Sequence, residues 1–200
     1  MRVFATSIAF LLSGCAFTAH SHSHGGGRPE RHASPCADHD LELRVKIETN
    51  AEKMASICRA DGRGDCLYTF SYGKTFVYGQ PDLNGDGRTD YLIKDFSGSY
   101  GMNDLIHFMG YASCTDGTYV KVLDDFLSDV HVKDSSRRGW RDLQVSRACF
   151  DENIDGAVSR SYSLQFDSAK LSYGAPNRDR RLARYCSAYE VALPPSSAKP

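Results

Sequence analysis

Nine consecutive residues, Asp82-Leu83-Asn84-Gly85-Asp86-Gly87-Arg88-Thr89-Asp90, place oxygen-bearing side chains at positions one, three, five and nine and glycine at position six. Ca²⁺ is a hard cation that takes roughly six to eight oxygens, and a glycine lets the chain turn sharply enough to point alternate side chains inward. The spacing predicts a calcium loop. Asp82, Asn84, Asp86 and Asp90 would ligate through side chains, directly or through water, and Arg88 through its carbonyl. The twelfth position is Ile93, so the bidentate glutamate of a full EF-hand is missing. Tyr91-Leu92-Ile93 reads as a buried strand, where an EF-hand would continue as a helix.

Two further segments echo this pattern. Asp134 to Asp142 aligns position for position with Asp82 to Asp90, keeping Asp134, Gly139 and Asp142 but carrying Ser136 and Arg138 in place of Asn84 and Asp86. It reads as a decayed repeat, with the Arg138 guanidinium between two carboxylates supplying fixed positive charge where the first loop would use an ion. Asp151-Glu152-Asn153-Ile154-Asp155-Gly156 is also DxNxDG, but its ninth position is Ser159 and no apolar triplet follows. A metal-free hairpin turn is the expectation there, with a weak second calcium site as the alternative.

The catalytic inventory is thin, and the chain reads as a non-enzyme. HExxH, P-loop and CxxC patterns are missing from the sequence. Ser97-Gly98-Ser99-Tyr100-Gly101 lacks the first glycine and the strand-to-helix context of a nucleophile elbow. His107 and His131 fall on predicted strands with no acid–base partner in sight. Arg178, Arg180, Arg181 and Arg184 read as a solvated face interleaved with Asp179. A net charge of −1 and the lack of a basic stripe give no support to nucleic acid as a partner.

These residues must be held by elements that the sequence also announces. Thr49-Asn50-Ala51-Glu52 resembles a capping box and precedes Met54, Ala55, Ile57 and Cys58 at helical spacing, which predicts one short N-terminal helix. From Cys66 onward the chain reads as β. Leu67–Phe70 and Thr75–Tyr78 flank a hairpin signal at Tyr72-Gly73-Lys74. Strands follow at Tyr91–Ile93, Leu105–Ala112, Tyr119–Leu123, Val130–Lys133, Leu143–Cys149 and Ser161–Phe166, with Asp116-Gly117 turning one pair. The expected fold is all-β, with propeller-like repeated antiparallel sheets.

The first residues predict export. Met1-Arg2 is a minimal positive region, and Val3–Leu12 is apolar but too short to span a bilayer. Leu12-Ser13-Gly14-Cys15 looks like a lipobox, so residues 1–14 are expected to be a signal peptide and Cys15 the acylated N-terminus, anchoring the protein to a membrane. Ala16 after the cysteine resembles the pattern permitting sorting to an outer membrane, with the inner membrane as the alternative, in either case facing the periplasm. Residues 15–35 are Gly-, His-, Ser- and Arg-rich and read as a flexible tether; the His20, His22 and His24 imidazoles within it could hold a transition metal weakly. Residues 36–193 form the predicted β domain, and 194–200 a polar tail. Six cysteines besides Cys15 suit an oxidising compartment and three disulfides; Cys58–Cys66 is the first expected pair.

A Cys-containing tether, one DLNGDGxxD loop, the Asp116-Gly117 hairpin and a later GxxD strand together resemble periplasmic calcium-binding immunity lipoproteins. Those proteins have an FG-GAP-like, propeller-like fold. They protect cells from peptidoglycan-degrading effectors of antibacterial type IV secretion systems. The resemblance spans roughly residues 66–175 and implies a partner, a secreted cell-wall hydrolase that the protein inhibits. Other periplasmic lysozyme inhibitors insert a Ser-Gly-x-x-Tyr loop between catalytic carboxylates. Ser97, Gly98 and Tyr100, one residue shorter, are the corresponding candidates for contacting the partner. The competing expectation is an envelope adhesion or scaffold module in which calcium only staples the fold.

Overall fold

The computed structural model describes residues 35–38, 44–100, 105–151 and 154–184. The signal segment, Cys15, the histidines of the tether and the tail from 194 lie outside the described residues. The described chain is all-β apart from a four-residue helix α1 (Pro35–Asp38) and a 3₁₀ turn (Phe70–Tyr72).

Ten strands form two antiparallel sheets. The first has the order β2 (Ala55–Arg59), β1 (Arg44–Thr49), β6 (Tyr119–Leu127), β5 (Leu105–Ser113), β4 (Tyr91–Tyr100), β3 (Thr75–Gly79). The second runs β10 (Ser172–Gly174), β9 (Gly156–Asp167), β8 (Trp140–Asp151), β7 (Asp129–Arg137). Neither sheet closes on itself.

Side chains alternate across a strand, so each strand of the first sheet feeds two apolar layers. Leu92, Phe108, Val120 and Val122 face Val130, Trp140, Leu143, Val145, Tyr162 and Leu164 of the second sheet in one buried cluster. Their neighbours Ile93, Met109 and Tyr111 form a smaller cluster with Val45, Ala55 and Ile57. Each fully buried Val, Leu, Ile or Phe contributes roughly 1.5–3 kcal/mol, so the inter-sheet layer dominates stability. Trp140 stacks on Phe166 with ring centroids 3.6 Å apart. Cys36–Cys114 fastens α1 to the end of β5, and the expected Cys58–Cys66 pair is formed. Cys149 is disulfide-bonded as well.

Two expected elements are replaced. Residues 49–58 are a hairpin, not a helix: β1 pairs with β2 from Val45↔Arg59 to Thr49↔Ala55. Asn50 Oδ1 accepts the N–H groups of Glu52 and Met54, and Lys53 takes φ 59°. Within the expected capping box, Asn50 closes a turn instead. Ala55, Ser56 and Ile57 are all buried, so the apolar run fits a strand covered on both faces as well as a helix. Residues 67–70 also do not pair with β3. Tyr68 bridges Ile57, and Gly73 (φ 57°) ends the 3₁₀ turn before β3 begins.

One ion pair crosses between the sheets. Arg147 of β8, 2 % exposed, lies 2.9 Å from Asp125 of β6. Burial pushes the Asp125 carboxyl up, and the Arg147 charge and the Phe126 N–H pull against it. Asp125→Ala would take one carboxylate away from the buried guanidinium. The expected loss is roughly 2–3 kcal/mol, below the range for a fully buried pair because Asp125 reaches the surface. A lower urea midpoint at unchanged m-value checks this; replacing both residues with apolar ones should cost less than the single change.

Candidate functional site

The loop between β3 and β4 is wound around its own carboxylates. Asp82 accepts the Asp86 N–H at Oδ1 (3.1 Å) and the Gly87 N–H at Oδ2 (2.9 Å). Asn84 Oδ1 accepts the same Asp86 N–H at 3.1 Å, which brings the two oxygens to one point. Asp86 accepts the Arg88 N–H, the Arg88 guanidinium and the Asn84 amide, all within 2.9 Å. Partial burial pushes the Asp86 carboxyl up, but these donors outweigh it and hold it below the usual carboxylate range. Gly85 (φ 70°) and Gly87 (φ 79°) supply the left-handed turns that this winding needs.

Asp90 has a different place. It is fully buried, its Oδ2 accepts the Leu83 N–H and its Oδ1 the Ser113 N–H, both at 2.7 Å. Burial pushes its carboxyl up to about 6 against those two donors, which leaves it ionised at neutral pH. Asp90 thereby ties the loop to the last residue of β5. Among the described residues, no three Asp, Glu, His or Cys side chains are gathered as a metal cage. The oxygens of Asp82 and Asn84 meet at the Asp86 N–H, and the exposed Asp86 carboxylate lies beside the Asn84 amide. Each carboxylate or amide oxygen can accept more than one bond, so lone pairs remain for a hard cation.

The segment aligned with this loop is built otherwise. Arg138 (φ 52°) and Gly139 (φ 84°) form the two-residue turn between β7 and β8, closed by Arg137↔Trp140. Two successive positive φ values make a primed hairpin turn in place of a second ion loop. Arg138 makes no ion pair there; the contact with Asp134 comes from Arg141 at 3.9 Å. Asp142 accepts a hydrogen bond from Gln165. This turn is the surface on which the first loop docks. The Arg141 N–H donates to the Leu83 carbonyl at 2.8 Å, and a Cβ at Gly85 would lie 2.9 Å from the Gly139 carbonyl oxygen. Asp151 and Gly156 pair at the end of the β8–β9 hairpin, as a turn there requires.

Ser97, Gly98 and Tyr100 lie on β4 at the far end of the β4–β5 hairpin. The register runs Asp95↔His107 and then Tyr100↔Leu105, so Phe96 to Ser99 stand opposite Ile106 alone. Such a bulge bends a strand and re-aims its end. Ser97 is pinned within it, its N–H and Oγ donating to Asp95 at 2.8 and 2.7 Å. Asp95 is buried. Its Oδ2 is 3.7 Å from His107 Nδ1, and His107 Nε2 lies 2.5 Å from Asp124 on β6, which also pairs with Lys121. Phe126 stacks on the imidazole.

His107 therefore has the two carboxylate partners that the sequence did not reveal. They sit on neighbouring strands and carry no sequence spacing that could announce them. The Ser97 hydroxyl is given to Asp95 and not to the imidazole, so the cluster lacks the geometry of an activated nucleophile. His131 is exposed and pairs with Asp129 at 2.8 Å. No known protein family, characterised protein or solved structure matches the chain.

The His107 cluster has a pH signature. The Asp124 hydrogen bond raises the His107 pKa above its usual value despite burial, and the same bond lowers Asp124 to about 2. A raised histidine stabilises fully below its unfolded value of about 6.5 and loses that contribution as pH rises through its folded value; a lowered aspartate stabilises above about 4 and loses it as pH falls through about 2. The pair is therefore strongest between about pH 4 and 6.5. Thermal melts should show stability falling above that window, and His107→Gln should flatten the fall. An imidazole titrating at or below about 6.5 by NMR would overturn the assignment.

Proposed function

We propose that this chain is a non-enzymatic calcium-binding envelope lipoprotein, anchored through Cys15, that binds and inhibits a secreted peptidoglycan hydrolase. The observation that carries the reading is the β4–β5 hairpin. Its base is locked by Asp90 to the 82–90 loop. Its far end, about 30 Å away at strand rise, carries Ser97, Gly98 and Tyr100 on a bulge held by Asp95. A rigid strand pair ending in a bent tip suits insertion into a cleft, because little ordering entropy is lost on binding. The successive four-stranded meanders β3–β6 and β7–β10 favour a propeller-like, FG-GAP-like kinship, each meander standing as one blade. The disulfides suit the periplasm, at the outer or the inner membrane.

Calcium enters this reading as the staple of the loop. Asp82, Asn84 and Asp86 would hold it with the Arg88 carbonyl, while Asp90 orders the loop from beneath. The Arg88 guanidinium now on Asp86 is exposed and free to swing away. Binding only the folded loop, calcium should raise the melting temperature, with affinity on the order of 10⁻⁴ to 10⁻³ M. Asp86→Ala should abolish most of that rise and Ser136→Ala none of it. A melting temperature indifferent to both calcium and chelator would remove calcium from the reading.

The inhibitory tip is tested separately. Against the peptidoglycan hydrolase captured from an envelope extract, Tyr100→Ala should lose about thirtyfold in affinity, the usual size of a truncated anchor. Glu48→Ala, on exposed β1, should lose none. Equal potency of the two folded variants would exclude the tip. Failure to inhibit any cell-wall hydrolase would favour the alternative, a calcium-stapled adhesion or scaffold module.

A further inference from the structure

Three segments distant in sequence converge on one open cleft of roughly 1230 Å³ beside the second sheet. The β7–β8 turn brings Arg137 and Arg138, the turn after β9 brings Lys170, and the segment after β10 brings Arg178, Arg180 and Arg184. Among the described residues, Asp167 is the one acidic side chain in the wall. Lys170 reaches it at 3.7 Å, and Arg178 reaches Asp179 at 3.6 Å, both loosely. Arg137, Arg138, Arg180 and Arg184 make no ion pair or side-chain hydrogen bond among the described residues. Residues 180–184 are helical, so Arg180 and Arg184 project from one side while Leu182 and Ala183 pack on the core.

Like charges repel, and among the described residues only two of the six cations gathered in this hollow reach a carboxylate. We propose that the cleft binds an anionic glycan, a chain of sugar rings bearing carboxylate or phosphate groups. Six cations spread over three segments suit a chain bearing several charged groups better than a single ion. Guanidinium forks match planar and tetrahedral oxyanions in two-point contacts that lysine cannot make. Phe166, partly buried and stacked on Trp140, gives the wall an apolar patch beside the cations, and Tyr173 belongs to the core beneath it. Gln165, Ser172 and Asn177 supply side-chain partners for hydroxyls. Disulfides belong to oxidising compartments, where acidic glycans abound and nucleic acid is scarce. The cleft lies on the second sheet and does not depend on the inhibitor reading of the β4–β5 tip.

The probe is tetragalacturonate, a carboxylated tetramer, with maltotetraose as its neutral counterpart and a short single-stranded oligonucleotide as the rival polyanion. Calorimetry on the full chain should show tetragalacturonate binding that weakens steeply with salt, and no comparable binding of maltotetraose. Arg138→Glu with Arg180→Glu, both on exposed side chains, should cut that affinity by about tenfold or more at an unchanged melting temperature. Arg63→Glu, on the loop after β2, should leave it intact. Equal binding of the neutral tetramer, no binding of tetragalacturonate at low salt, or indifference to the double reversal would overturn the proposal. Tighter binding of the oligonucleotide would assign the cleft to nucleic acid instead.

Discussion

A carboxylate shut away from water must be given hydrogen bonds or a counter-charge, or it takes up a proton. Asp90 receives two backbone N–H groups, and their positions decide the surrounding structure. One belongs to Leu83, so the loop must curl back over its own end. The other belongs to Ser113, so the start of β4 must lie beside the end of β5. Leu83, thus fixed, buries its side chain in the inter-sheet core and offers its carbonyl to Arg141 of the second sheet. Loop, first sheet and second sheet meet through a single side chain.

The β4–β5 hairpin inherits its rigidity from this arrangement. Its base is fixed by Asp90 and its middle by apolar residues on both faces, Leu92 and Phe108 on one and Ile93 and Met109 on the other. Toward the tip the apolar layers give way to Asp95, His107 and Asp124. Here charge-assisted hydrogen bonds replace packing as the constraint. The two ends therefore answer to different conditions. The base is held by a buried carboxylate and the loop's oxygens, while the tip end is held by an imidazole whose charge depends on pH.

Much of the β framework was legible because strands advertise themselves locally. β4 to β9 each carry β-branched and aromatic runs bounded by turn residues, and the Asp116-Gly117 turn, with Gly117 at φ 79°, stands where expected. The winding of the loop at Asp82 was legible for the same reason, since the bonds among Asp82, Asn84, Asp86, Gly87 and Arg88 are local, whereas the contacts of Asp90 with Ser113 and of Leu83 with Arg141 were not. What depended on distant strands was hidden. Thr49-Asn50-Ala51-Glu52 looked like a capping box because the use of Asn50 as a turn closure requires β1 and β2 to pair, which no local pattern states. Asp134 to Asp142 matched the first loop in residue type. Its fate as a primed turn was set by Arg138 accepting a left-handed conformation, a choice stabilised by the strands on either side. The partners of His107 were invisible for the plainest reason, since cross-strand neighbours have no fixed separation in sequence.

The Asp134–Asp142 segment also serves as the surface on which the first loop docks. Three carboxylates and one guanidinium leave the 82–90 loop with a net charge of −2 when all are ionised, the two signs being counted from Asp82, Asp86, Asp90 and Arg88. The turn it rests on carries Arg137 and Arg138, exposed and unpaired among the described residues. Gly85 and Gly139 meet at that seam with no room for a side chain at Gly85, so the backbones approach closely. Steric fit thus sets how closely the loop and the turn approach. A side chain at Gly85 would open the seam.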